Sequence, residues 1–184
     1  MPDSPAPCSA EGIAARGSEV RAVAIMAKSV YIETTIPGAY FEEREDVVSR
    51  FQRYATRRWW DELRQEHQLY TSEAVIAELQ QPRFPFSTQA VELLVGVNRL
   101  PLTEEIRGVV KIYLVHQLMP KGDAGDAFHL AFASVHELDY MLTWNCRHLA
   151  NPRKVTYITA INRRIGLLTP TILTPQILAG GEIQ

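Results

Sequence analysis

Five oxygen-bearing side chains stand where apolar runs give way to turns or helix starts: Glu33, Glu78, Asp123, Asp126 and Asn145. Glu33 closes the run Val30-Tyr31-Ile32 and leads into Thr34-Thr35. Glu78 lies late in a helical stretch beside Val75 and Leu79, and Asn145 follows Thr143-Trp144. Asp123 and Asp126 are one helical turn apart and so share nearly one face. Carboxylates gathered at one place repel, and a divalent cation is the usual relief. Oxygen ligands of this type suit Mg²⁺ or Mn²⁺ rather than zinc. Such an ion activates water and clamps a phosphodiester for in-line displacement. Each residue also has a plainer account: Glu33 as a solvated turn residue, Glu78 as an exposed helix charge, Asp123 and Asp126 as first-turn acids, Asn145 as a turn former or cap. Spacing alone does not choose between the two.

The elements that must position these groups alternate. A short strand over Val30–Ile32 precedes a turn at Pro37-Gly38, and a long amphipathic helix over 42–66 presents Val47, Phe51, Tyr54 and Trp59. A brief strand at Leu69-Tyr70 leads to a helix capped by Thr71 or Ser72 and running to about Gln80. Pro82 and Pro85 force a loop. Further helices are expected over 88–98, from Thr103, over 123–137 and over 151–165, with strands over 100–102, 140–143 and 171–173. Alternation of this kind predicts an α/β fold, a single domain with a central parallel sheet flanked by helices. In such sheets functional groups collect beyond the carboxyl ends of the strands, where Glu33 and Asn145 fall.

Composition sets the outer limits. The chain has 184 residues, with 19 Lys+Arg against 21 Asp+Glu, a net charge of −2 that excludes nucleic-acid coating by bulk charge but not a local basic groove. No apolar run approaches the roughly 20 residues that span a bilayer. Cys8 and Cys146 are too few for a disulfide framework or a thiolate zinc site, so a reducing cytoplasm is expected. Residues 1–28, rich in Pro, Ala, Ser and Gly, read as a disordered or non-native extension, with Met26 an alternative start and no secretion signal. Residues 29–184 read as the folded domain.

The order of motifs resembles the PIN-domain family, and within it the VapC-like toxin ribonucleases of bacterial type II toxin–antitoxin modules. The matching features are Val30-Tyr31-Ile32-Glu33-Thr34-Thr35, Ser72 through Glu78-Leu79, Asp126-Ala127-Phe128-His129-Leu130-Ala131, and Thr143-Trp144-Asn145 followed by Arg147-His148-Leu149, spread over most of residues 29–175. The resemblance implies a Rossmann-like PIN fold and a metal-dependent endoribonuclease cutting single-stranded RNA, leaving a 5′-phosphate and a 3′-hydroxyl. It further implies that Glu33, Glu78 and Asp126 ligate Mg²⁺ or Mn²⁺ with Asp123 assisting, that Asn145 takes the place of a fourth acid, and that Thr35 orients the first carboxylate. A homodimer and a cognate antitoxin are implied as partners. Two departures stand out: the first acid is Glu where the pattern most often has Asp, and Asn145 is neutral. They favour the alternative of a PIN fold with a weakened site that binds RNA or protein without cutting.

Among the remaining groups, His129 lies one turn after Asp126 and reads more readily as packed or hydrogen-bonded than as a ligand. Trp59-Trp60 reads as core or as helix and dimer packing. Beyond Asp139 the chain carries Arg147, Arg153, Lys154, Arg163 and Arg164 with Glu182 as the only acid. Arg147, Arg153 and Lys154 are therefore candidates to track RNA phosphates, in a salt-dependent way. The arginines within 42–66 are offset by acids and read as an ion-paired surface.

Overall fold

The computed structural model describes residues 27–119 and 124–180. The expected tail lies almost wholly outside the described residues, and so does Asp123. Five strands are described: β1 (Lys28–Ile32), β2 (His67–Ser72), β3 (Asn98–Leu100), β4 (Tyr140–Leu142) and β5 (Thr171–Leu173), all parallel and in the order β3-β2-β1-β4-β5. The chain builds outward from β1 to β3, then returns to β1's other edge with β4. Strand order thus reverses between β1 and β4, which opens a crevice at their carboxyl ends. The middle strands are apolar because helices cover both faces: Val30, Tyr31, Ile32, Met141 and Leu142 are fully buried. Each large side chain of this kind contributes about 1.5–3 kcal/mol by leaving water.

The helices are α1 (Thr35–Tyr40), α2 (Val47–Arg58), α3 (Glu73–Leu79), α4 (Ser87–Leu93), α5 (Glu104–Val115), α6 (Ala124–Val135), α7 (Pro152–Arg164) and a final turn, α8 (Pro175–Leu178). Several begin on side-chain caps: Asp46, Ser72, Thr103, Asn151 and Thr174 each accept a backbone N–H of the first turn. α6, which carries Asp126, is anchored from behind. Asn162 of α7 donates to the Ser134 hydroxyl (3.0 Å) and accepts from the Tyr113 hydroxyl of α5 (2.5 Å).

Three local expectations need correction. Pro37-Gly38 is not a turn but the middle of α1, because proline is tolerated in a first helical turn, where its missing N–H has no acceptor to lose. The long helix starts at Val47, behind the Asp46 cap, and ends in a π-helical turn (Trp59–Leu63) and a 3₁₀ turn (Arg64–Glu66). Its inward face is also different. Val47 and Tyr54 are exposed, while small Ser49, Ala55 and Thr56 are buried, on a helix that packs against α1 and α8. Finally, β3 occupies 98–100 rather than 100–102, and α4 ends at Leu93. Trp59 and Trp60 are both buried. Among the described residues no helix is long and apolar enough to cross a membrane.

Candidate active site

Glu33 is the first residue beyond β1 and only 2 % exposed. The Thr35 N–H donates to its Oε2 (3.0 Å) and the Thr35 hydroxyl donates to its Oε1. Burial pushes the Glu33 carboxyl up, and the charge of His129 with the Thr35 and Thr143 hydrogen bonds only partly offsets this. The Thr35 Oγ1 also accepts the Trp144 N–H (2.8 Å), so the end of β1 is tied directly to the end of β4.

Glu78 comes from α3, which Ser72 starts at the end of β2. Its Oε2 accepts from the Thr34 hydroxyl (2.6 Å) and from His129 Nε2 (3.2 Å). His129, on α6, is 2 % exposed, and its Nδ1 lies 3.1 Å from the Tyr31 hydroxyl, itself 2.7 Å from Ser72 Oγ. His129 Nε2–H donates to Glu78, while its Nδ1 and the Tyr31 hydroxyl share one hydrogen in the order that the ring's protonation sets. Burial works against the charged ring, but the hydrogen bond and charge of Glu78, with Glu33 and Asp126, outweigh it and raise His129. Burial likewise pushes Glu78 up, and His129, Thr34 and Arg83 together bring it below the ordinary carboxylate range.

Asp126 sits in the first turn of α6, where a negative charge favours the helix dipole. The Asn145 amide donates to its Oδ2 (2.8 Å), and the Asn145 oxygen accepts the His148 N–H (3.0 Å). Gly125 lets this helix start close to Glu78: a Cβ at Gly125 would overlap the Glu78 carboxylate.

Glu33, Glu78, Asp126, Asn145 and Thr35 therefore line one pocket of about 370 Å³ with Thr34, Arg83, Phe84, Gly125 and His129. Arg147, Arg153 and Lys154 are not on its wall. Arg147 and Arg153 are exposed elsewhere, and the Lys154 ammonium donates to the Leu118 carbonyl (3.3 Å). The basic residue at the pocket is Arg83, which sequence reasoning missed, together with Phe84 and the role of Thr34. No local pattern marks Arg83 and Phe84, which lie between Pro82 and Pro85, a few residues beyond Glu78.

Three carboxylates and an amide supply the hard oxygen donors that Mg²⁺ or Mn²⁺ takes, and in that chemistry the residues fit such an ion. As they stand, both Glu33 oxygens, Glu78 Oε2, Asp126 Oδ2 and the Asn145 oxygen each accept a protein donor. Among the described residues no three His, Cys, Asp or Glu side chains form a ready cluster for a metal.

No family model matches the sequence, and no curated protein is significantly similar to it. Among solved structures, VapC20 of Mycobacterium tuberculosis, a sarcin-ricin-loop-cleaving toxin, superposes with a TM-score of 0.51 at 15 % identity, over 67 % of this chain and 95 % of that one. The fold is PIN-like. VapBC2 from Rickettsia felis, solved with a DNA fragment from its promoter, aligns at a TM-score of 0.44 and 9 % identity, over 79 % of this chain and 98 % of that one. In this PIN-like arrangement the pocket lies at the β1/β4 reversal point, where the sheet's topology places a ligand.

Proposed function

We propose that this chain is a divalent-metal-dependent endoribonuclease of the PIN toxin type, acting on single-stranded RNA. The observation that carries the reading is the convergence of Glu33, Glu78 and Asp126, from three separate elements, on one pocket of a PIN-like fold. Glu33, Glu78 and Asp126 would hold Mg²⁺ or Mn²⁺; Asp123 would assist. When bound, the ion supplies positive charge against the phosphodiester and acidifies water. The remaining work falls to the chain. Thr35 aims Glu33, Thr34 and His129 fix Glu78, and Asn145 fixes Asp126 by its amide N–H. Arg83 offers a cation to the non-bridging phosphate oxygens. Water forms the new bond to phosphorus as the bond to the 3′-oxygen breaks, leaving a 5′-phosphate and a 3′-hydroxyl.

A second reading has its own support. Both Glu33 oxygens, one Glu78 oxygen and the Asn145 oxygen already accept protein donors, the arrangement expected of a site that binds RNA or protein without cutting. One experiment separates the two: incubation of a mixed set of single-stranded RNAs with Mn²⁺, Mg²⁺ or EDTA, beside Asp126→Asn. Metal-dependent cutting lost in the variant is the expected result. RNA bound but uncut by the wild-type chain would leave the binding module. The toxin reading also brings a cognate antitoxin and a homodimer, for which exposed Val115 and Tyr157 offer apolar surface; light scattering of the purified chain tests the dimer.

A further inference from the structure

A second groove adjoins the carboxylate pocket, and its walls are aromatic. Phe84, Phe86 and Trp144 line a space of about 320 Å³ above Gly38 and Ala39. Thr35 and Phe84 line both cavities, so the two are neighbours across a shared ridge. We propose that this groove receives one unpaired nucleobase of the RNA, the base adjoining the phosphodiester held at Glu33, Glu78 and Asp126. The proposal rests on the nuclease reading above.

Size is the first argument. Small-molecule sites run from roughly 300 to 1,000 Å³, and this groove lies at the lower end, suited to one planar ring rather than to a run of chain. The second is that the rings are held in place before any ligand arrives. The Trp144 indole donates to Thr56 Oγ1 (2.7 Å) and meets Phe51 edge-on, with centroids 5.9 Å apart. Phe86 leans on Phe41 with centroids 6.4 Å apart. Phe84 lies over Gly38, where a Cβ would be 3.7 Å from its ring edge. Rings fixed in this way lose little freedom on stacking, and every base has a face that stacks.

Placement is the third argument. Arg83 faces the carboxylate pocket and its neighbour Phe84 forms the ridge, so consecutive residues offer a cation and a ring. A nucleotide has the same layout, with a phosphate and a base on one sugar. Sequence-selective contact with single-stranded RNA works through splayed bases stacked on aromatic side chains and hydrogen-bonded at their edges. The rim supplies such groups: Gln52, and the Glu42–Arg44 ion pair at 2.7 Å. An apolar side chain of a protein would use the rings but not the adjoining phosphate position.

The test measures binding of a short single-stranded RNA to the full chain in EDTA, with an abasic nucleotide placed in turn at each position of the RNA. One abasic position is expected to weaken binding by about 5- to 150-fold, the range for loss of one base–aromatic stack. Phe84→Ala should weaken binding of the intact RNA similarly, and the two losses should not add. Phe84→Leu, which keeps the apolar volume, guards against a folding defect and should still bind more weakly than wild type. Trp144 is half-buried while Trp59 and Trp60 are buried, so RNA should change tryptophan fluorescence, and the abasic RNA should not. If no abasic position matters and the Phe84 variants bind RNA normally while the chain still cuts, the groove proposal fails and the nuclease reading stands. Normal RNA binding with loss of an antitoxin contact would assign the groove to a protein instead, and also overturns the proposal. An abasic effect without cutting would keep the groove and remove the nuclease. Absence of RNA binding in EDTA would overturn the groove; with metal-dependent cutting retained the nuclease reading stands, and with cutting also absent both fall.

Discussion

Asn145→Asp tests whether the pocket is a cation site in waiting. The Asn145 amide now donates to Asp126 Oδ2 at 2.8 Å. The substitution removes that donor and sets a carboxylate against a carboxylate. Loss of a hydrogen bond to a charged group costs about 1.5–3 kcal/mol. Repulsion at 4 Å and an effective dielectric of 20 would add about 4 kcal/mol if neither group moved. Both side chains are only partly buried and can turn toward water, so most of the repulsion is avoided, and the net loss is about 2–3 kcal/mol. For a chain of this length that lowers the midpoint of thermal unfolding by roughly 5–10 °C. Added Mn²⁺ should recover most of this loss, because the extra anion becomes a ligand, and ligand at a hundred times its dissociation constant stabilises by about 2.7 kcal/mol. Calorimetric melting of wild type and variant, in EDTA and in MnCl₂, reads both effects. Equal melting in EDTA would show that Asn145 does not tether Asp126. A loss that Mn²⁺ fails to repair would refute the cation site.

Gly125→Ala should cost about 100-fold in cleavage by displacing the Glu78 carboxylate, the order expected for a misplacement of about an ångström, while favourable helix propensity of about 1 kcal/mol limits any fall in stability; a fully active variant would show that Glu78 can move without consequence. Arg83→Gln should reduce the slope of log affinity for single-stranded RNA against log salt by about 0.7, one phosphate contact, and neutralising Arg153 and Lys154 together should reduce it by about 1.4; an unchanged slope in either case removes that residue set from the RNA path. Asp139 is held at about 2 by the Lys28 hydrogen bond, with the Ser29 N–H and hydroxyl contributing. Its folded value lies below its unfolded value of 3.8, so it stabilises the chain above that value and the contribution disappears as pH falls through about 2. With the side chain 34 % exposed, screening leaves roughly 1 kcal/mol. Asp139→Asn should therefore melt a few degrees lower at pH 7 and no lower at the acid end, and an equal gap at both ends would contradict this.

The strands and most helix starts are legible in the sequence because they follow local rules. Apolar runs mark β1 and β4, and Ser72, Thr103 and Asn151 cap helices where their hydroxyl or amide precedes a periodic stretch. Pro37-Gly38 misleads because the same pair suits a turn and a first helical turn, and only packing of α1 on α2 decides. Val47 and Tyr54 mislead because an apolar stripe marks the buried face only where large residues fit, and here α1 and α8 pack on a face whose buried residues are small. At the site, Glu33, Glu78 and Asp126 can be picked out as candidates by the order of the motifs that carry them, which spacing alone does not decide. Pairing of Glu78 with His129 cannot, since it depends on how α3 and α6 sit against each other. Arg83 and Phe84 belong to an aperiodic loop between prolines, which leaves no pattern to read.

Thr35 couples two features of the candidate site. One hydroxyl donates to Glu33 and accepts from the backbone of Trp144, so the aim of a carboxylate and the position of an aromatic wall share a single pivot. On the proposed reading of the groove, any change that shifts the β4 end to admit a different base also re-aims Glu33. Variants selected for a new base preference should then carry a rate penalty by default, and their recovery should come through second changes near β1 rather than in the groove. On such a scaffold, diversification of targets would proceed by paired substitutions, with single ones filtered out.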